Sequence, residues 1–362
     1  MLFLTLGTKC QRASIGGIDE SMKYTTLSQR TSHILFITPI RDITPLSQPT
    51  TLVKLDFREV RRRAASAALH SPFLLNDKRF ADWKKFLQSN KYRNVRLGYS
   101  MKAKFFTDLL KKQQFTDAHI NAYMCILHSN SAFAAIIQHV MDIVLTSTGF
   151  LEGIRKVFEQ YHLFEGASQL NKEIEEIISD EDLLGLSEYV SGHLPGWQPL
   201  KPWYDYNKLV FVAHLDSHWV TCFVSFSDHL IILYDSTWHN WAKQIKQSRH
   251  NWAKQIRQSR INYFTPLTHI LPQLLKYCGF WDCRQDLQAK YTHWKIKTVK
   301  GDGIYKQTDG VSCGVYELKF VEMLMSNSRM PQPTDNELEA YRSHVAYTIF
   351  RFSTDENTLV SQ

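Results

Sequence analysis

Four side chains spread over the last 150 or so residues could together ionise a thiol and use it on a carbonyl. Cys313 is followed by Gly314 and an apolar run, Val315 to Met325, that reads as a helix. A thiol at a helix start faces the positive end of the macrodipole, which favours the thiolate. Gln307 stands six residues upstream, where its amide could meet the negative charge that grows on an attacked carbonyl oxygen. His218 follows a short turn, and Asp235 ends the next strand-like run. A carboxylate fixing an imidazole that takes the thiol proton would complete the set. Singly, each residue has a plainer reading: a small buried cysteine, an exposed turn histidine, an aspartate that ends a strand. The ordered set is what gives the chemistry weight. His293-Trp294 repeats the His218-Trp219 pair, but no strand beyond it ends in an aspartate, so His293 is read as a strand or surface residue.

The elements that must position these groups follow from periodicity. Leu209–Leu215, Val220–Phe226 and Leu230–Tyr234 are apolar strand-like runs, separated by Asp216-Ser217 and Ser227-Asp228 as in an antiparallel meander. Strand, turn and return strand bring Asp235 back beside His218. Upstream, the pattern from Phe105 to about Tyr161 is helical: a helix capped by Asp117, then Phe133–Leu145 and Leu151–Phe158. An acidic helical stretch covers 169–190; a helix is expected at Leu267–Tyr277 and a possible strand near Tyr291–Val299. Phe80, Trp83, Phe86 and Leu87 recur at helical spacing, and order is expected to begin near Ser71. Residues 1–70 are rich in Ser, Thr and Pro and read as a disordered tail; residues 71–362 form the folded domain.

Composition narrows the class. An apolar content of 44% excludes a disordered chain and permits a substantial core. The six cysteines are scattered without metal-ligand spacing, which suits a reducing compartment, nucleus or cytosol. The N-terminus lacks a signal-peptide pattern, and Gln138, His139 and Asp142 interrupt the most apolar helical stretch, so a soluble chain with no membrane partner is expected. The basic cluster Arg58, Arg61, Arg62, Arg63 is a solvated run or a nuclear-targeting patch.

The net charge of +8 resembles a nucleic-acid signal until it is located. Two near-identical 11-residue blocks, His239–Arg249 and His250–Arg260, differ only at Lys246 against Arg257 and supply six of the eight charges. Trp241, Ile245, Trp252 and Ile256 fall on one narrow helical sector. The 239–260 segment reads as a duplicated surface insertion, with nucleic-acid binding as the lesser alternative, and it could shield or perturb the region beside Asp235. No P-loop, GxGxxG or HExxH motif occurs, and no cofactor or metal is implied.

The order His218-Trp219, Asp235, Gln307, Ser312-Cys313-Gly314 resembles the ubiquitin-like-protein-specific (SUMO) cysteine proteases, most of all their divergent plant and transposon-borne branch. Thr116–Ile120, Val210–Val220, Leu233–Ser236, Gln307–Phe320 and Tyr341–Ile349 extend the likeness across about 100–352. The resemblance implies an α+β, papain-like cysteine protease fold, with the nucleophile helix packed on a mostly antiparallel sheet. It implies His218, Asp235, Cys313 and Gln307 as catalytic residues. It also implies hydrolysis after the C-terminal Gly-Gly of a SUMO-like modifier, in precursors or conjugates. Trp219, Gln114 and Gly314 would then contact the substrate, Trp219 as one wall of a slot for the two glycines; ordinary core packing is its alternative role. The family carries a tryptophan where this chain has Gln114, so selectivity for Gly-Gly is less secure than the chemistry. A second functional class stays open: a degenerate, transposon-derived module that binds a modifier or chromatin without turnover. An acyltransferase on the same residue order is a third, against which the Gln307–Cys313 spacing and Trp219 argue.

Overall fold

The computed structural model describes Phe80–Asp355 except for 96–98, 130–141, 163–177, 195–196, 198–200, 216, 238–251, 288–293, 300–303 and 328–330. The tail assigned to 1–70, the first copy of the repeat and the acidic run 173–177 therefore lie outside the described residues.

A five-stranded sheet is the frame. Its centre is the expected meander, β4 (Lys208–Leu215), β5 (His218–Ser225) and β6 (Leu230–Tyr234), paired antiparallel from Leu215↔His218 and Thr221↔Tyr234 outward. Two edge strands join it parallel: β3 (Ile143–Leu145) beside β4, and β7 (Lys295–Thr298) beside β6. The sheet is thus mixed, antiparallel at its centre and parallel at its rims. Residues 143–145 were expected to end a helix; Ile-Val-Leu instead pairs with β4, a case where three apolar residues cannot be told from a buried helix by period alone.

The meander strands are buried on both faces because helices cover both. Val210, Val212 and Trp219 belong to one core, while Leu209, Phe211, Ala213, Val220 and Cys222 belong to the other, as the period of two requires. The second core is closed by α4 (Gly149–His162), α5 (Asp180–Ser191) and α6 (Trp252–Tyr277). Helix α6 corrects the expectation that a helix starts at Leu267: it starts within the second repeat copy and carries Pro266 and Pro272 inside. An interior proline costs about 3 kcal/mol. Burial of Phe264, Leu267, Ile270, Leu271, Leu274 and Leu275, each at most 1% exposed, outweighs it at about 1.5–3 kcal/mol per side chain.

On the first face lie α1 (Phe80–Leu87), α2 (Ala103–Leu110), α3 (Asp117–Ser129), α8 (Cys313–Ser326) and α9 (Asp335–Phe352), with the short α7 (Phe280–Cys283) on the other side of the sheet. A small sheet, β2 (Tyr99–Lys102), β1 (Tyr92–Val95) and β8 (Thr354–Asp355), flanks α9. Helix α8 packs on β5 and is buried almost all round, including every residue from Cys313 to Glu322, as its apolar sequence demands. The Thr-x-x-Glu at its neighbour's start explains α9's entry. Thr334 Oγ1 accepts from Glu337 N, and the Glu337 carboxylate accepts from Thr334 N, a capping box worth about 1 kcal/mol. No described helix is long and apolar enough to cross a membrane.

Candidate active site

His218 is the first residue of β5 and Asp235 the first after β6, so the antiparallel return sets them side by side. His218 Nε2 lies 2.9 Å from Asp235 Oδ1. The same oxygen accepts from Thr237 N (2.9 Å) and Thr237 Oγ1 (2.7 Å), while Oδ2 pairs with the Arg260 guanidinium. Burial alone would push the Asp235 carboxyl up. The His218 hydrogen bond, then the charges of His218 and Arg260 and the Thr237 bond, hold it far below the usual carboxylate range. Asp235 is therefore a fixed anion, and with Nε2 engaged the ring keeps Nδ1 as its other polar atom.

Cys313 opens α8, 1% exposed. The loop before it is wound round the Asp309 carboxylate, which accepts from Ser312 N (2.8 Å), Ser312 Oγ (2.7 Å) and Val311 N (3.2 Å). Gln307 is stitched between the two sides of the site. Its N–H donates to Ser236 O at 2.8 Å, its Oε1 accepts from Ser236 Oγ at 3.1 Å, and its Nε2 donates to Asp309 O at 2.7 Å. The same Nε2 lies 3.3 Å from Asp309 Oδ1, so the loop holds the amide at both groups of Asp309.

The helix start favours the thiolate as expected, but burial weighs more. Burial raises the Cys313 thiol to about 11, with the Glu317 carboxylate adding to the rise. The backbone N–H groups of Trp219, Gly314 and Cys313 only partly draw it back. Desolvation of the anion outweighs the helix terminus here.

Glu317 was not singled out from the sequence, although a carboxylate four residues after the cysteine in an apolar helix marks one face. It is fully buried and accepts from Thr221 N (2.7 Å) and Ser236 N (3.3 Å), and its carbonyl accepts from Thr221 Oγ1 (3.1 Å). The helix that carries the sulfur is therefore bolted to the strands that carry the imidazole and the acid. Burial, then the nearby Asp235 charge, push the Glu317 carboxyl well above its ordinary range. Arg342 of α9 was read only as part of a resemblance. It donates to Lys111 O (3.1 Å), Gln113 O (2.8 Å) and Ser312 Oγ (3.3 Å) and lies 4.9 Å over the Phe115 ring, fixing the segments before Gln114 and Cys313.

Exposed Gln114 spans these segments from outside, its Nε2 donating to Ser217 O (2.8 Å) and Gly310 O (3.5 Å). Trp219 is 2% exposed; its Nε1 donates to Phe115 O (2.9 Å) and its ring tilts on His214. It supports the site from within rather than presenting an open wall. Gly314 leaves room for a neighbour: a Cβ there would come within 2.9 Å of Phe115 Cβ. His218, Asp235, Gln307 and Cys313 thus border one region, with exposed Gln114 on its rim and buried Gly314 beneath.

Comparison with known proteins follows the geometry. No curated protein matches the chain. Among solved structures it is similar to a SUMO protease Ulp1 whose catalytic cysteine is oxidised to a sulfonic acid (14% identity, TM-score 0.45, covering 77% of this chain and 96% of that one). It is similar, too, to the C-terminal Ulp1 protease domain in complex with Smt3, the yeast ortholog of SUMO (14%, TM-score 0.42, 77% and 96%). A third is the Chaetomium thermophilum Ulp1-like SUMO protease catalytic domain (12%, TM-score 0.43, 85% and 91%). The family model for the Ulp1 protease family, C-terminal catalytic domain, matches residues 113–355. That span takes in β3–β8 and every residue of the site just described, and the chain belongs to the Ulp1 protease family, with its α+β, papain-like cysteine protease fold.

Proposed function

We propose that the chain is a cysteine (iso)peptidase that hydrolyses the bond after the C-terminal Gly-Gly of a SUMO-like modifier. The observation that carries the reading is the 2.9 Å bond between His218 Nε2 and Asp235 Oδ1, on strands to which Glu317 ties the helix that Cys313 opens. A thiol at about 11 carries roughly one thiolate in ten thousand at pH 7. Turnover then depends on a base, and the reading assigns that role to the His218 ring, steadied by an anionic Asp235. The ring takes the Cys313 proton, the sulfur adds to the glycine carbonyl, and the imidazolium returns the proton to the departing amine. Water, deprotonated by the same ring, then cleaves the thioester. The Cys313 N–H and the Gln307 amide are assigned the oxyanion site; losing one such donor costs about 10²–10³ in rate.

The test is to incubate the full chain with SUMO precursors extended beyond Gly-Gly and with ubiquitin precursors as controls. Cleavage of the SUMO set after the second glycine is expected; no cleavage by folded protein would contradict the reading. A second reading, modifier binding without turnover, is favoured by the deeply buried Cys313 and by Gln114 spanning Ser217 and Gly310. Binding unchanged by Cys313→Ala, with no cleavage, would select it. Nuclear residence is proposed on the Arg58, Arg61, Arg62, Arg63 cluster, and imaging of a variant with all four changed to alanine tests it.

A further inference from the structure

We propose that Arg260, the last residue of the second repeat copy, is a positioning residue. It clamps Asp235 and thereby sets the pH window in which Cys313 and His218 work. The inference rests on the reading of those two residues as nucleophile and base. Arg260 belongs to α6, the helix into which the second copy folds. Its Nη1 bonds Asp235 Oδ2 and lies 2.9 Å from Thr237 Oγ1. The opposite oxygen, Oδ1, serves His218 and Thr237. Each carboxylate oxygen is thus committed to one side, and the oxygen facing the ring cannot swing away without breaking an ion pair that is mostly buried.

The charge matters as well as the geometry. The groups facing the His218–Asp235 pair come from several elements: Arg260 from α6, Glu317 and the Cys313 thiol from α8, and Arg342 from α9 through its charge on Cys313. Arg260 is the permanent cation in direct contact with Asp235. As a permanent positive charge beside the acid it favours the thiolate, so its loss moves the thiol titration to higher pH. At an effective dielectric near 20 the displacement is about half a unit to one unit.

The duplication fits this role. Eleven residues at about 3.67 per turn make three whole turns, so repeating the block leaves the helix face in phase. Because both copies end in arginine, removing residues 239–249 leaves an arginine-terminated block leading into the same helix.

The experiment measures the pH profile of Cys313 alkylation by iodoacetamide, and of kcat/KM on a SUMO precursor. It compares the full chain with Arg260→Gln, Arg260→Lys and a deletion of 239–249, with circular dichroism as the folding control. Arg260→Gln is expected to shift the alkylation profile alkaline by about half a unit to one unit, with a plateau loss in kcat/KM of about tenfold or less. Arg260→Lys and the deletion are expected to overlay the parent profile. A folded Arg260→Gln with an unshifted profile overturns the proposal. If Arg260→Gln does not fold, Arg260→Lys decides: a shift of its profile away from the parent overturns the proposal, and an overlay supports it. An unshifted profile in a chain that turns over sinks this inference alone. A shifted alkylation profile in a chain that never cleaves keeps the inference and sinks the proteolytic reading.

Discussion

Two histidine–acid arrangements pack against α8, and they differ in what surrounds them. Near its start, at Cys313, His218 meets Asp235, which also holds Arg260. Farther along, Glu322 accepts from Tyr123 and Tyr341 (2.7 Å for the latter), and Tyr123 Oη lies 2.9 Å from His344 Nε2. The second arrangement has the same residue types but no sulfur in it. Burial, with the Lys319 charge adding to it, lowers His344 to about 3, so its ring is neutral at any ordinary pH. A neutral ring wrapped in tyrosines holds helices together and moves no protons. The two regions thus share a histidine and an acid and differ in the cation that pairs with the acid and in the cysteine that opens the helix there.

The largest expected difference between the two regions is in rate. Cys313→Ala should reduce turnover by about 10⁴-fold or more, and His218→Ala by a similar order, with the folding midpoint moved by less than about 1 kcal/mol. Precursor cleavage and urea denaturation measure the two effects together. The converse holds at the other region: Tyr123→Phe should cost about 1–3 kcal/mol of stability, because it strips the Glu322 carboxylate and the His344 ring of a buried partner. Its kcat per folded molecule should stay within about twofold of the parent, since the network touches none of the reacting groups.

Acid separates the regions in another way. A histidine with a depressed folded value contributes stability that is present above its unfolded value, near 6.5, and lost as pH falls toward the folded one. His344, and His119 at about 4, should therefore weaken the fold between about pH 6.5 and 4, by up to about 1.4 kcal/mol per pH unit for each group. The Asp235 carboxyl is depressed too, but from a much lower starting value. Its contribution persists down to about pH 4 and is lost only below. His344→Gln should flatten the slope above pH 4 in urea midpoints, and Asp235→Asn should leave that slope alone.

The sequence carried much of the reactive region and little of the silent one. His218 and Asp235 could be paired on paper because alternation located the meander, and an antiparallel return has only one geometry. Cys313 stood out because a lone cysteine-glycine opened an apolar helix. Arg260 could not be found, since its partner lies across a block whose composition reads as solvent-facing. The tie from Glu317 to Thr221 and Ser236 depends on how a helix docks on a sheet, which no local period records. The helix terminus beside the thiol was visible in sequence, while the depth of burial that outweighs it was not.

The smallest expected effect lies on the rim. Gln114→Ala removes an exposed side chain that spans Ser217 and Gly310, and should change KM by about two- to fivefold with kcat held. Steady-state kinetics on a SUMO precursor would read it; a loss of kcat instead would place Gln114 among the groups that position the reaction.

The central claim is most directly tested by a SUMO bearing a C-terminal electrophile in place of its final glycine carboxylate, incubated with the full chain and followed by intact mass and peptide mapping. The account expects one adduct, on Cys313, absent in Cys313→Ala and strongly slowed in His218→Ala. An adduct on Cys278 or Cys283 instead, or a rate indifferent to His218, would contradict it.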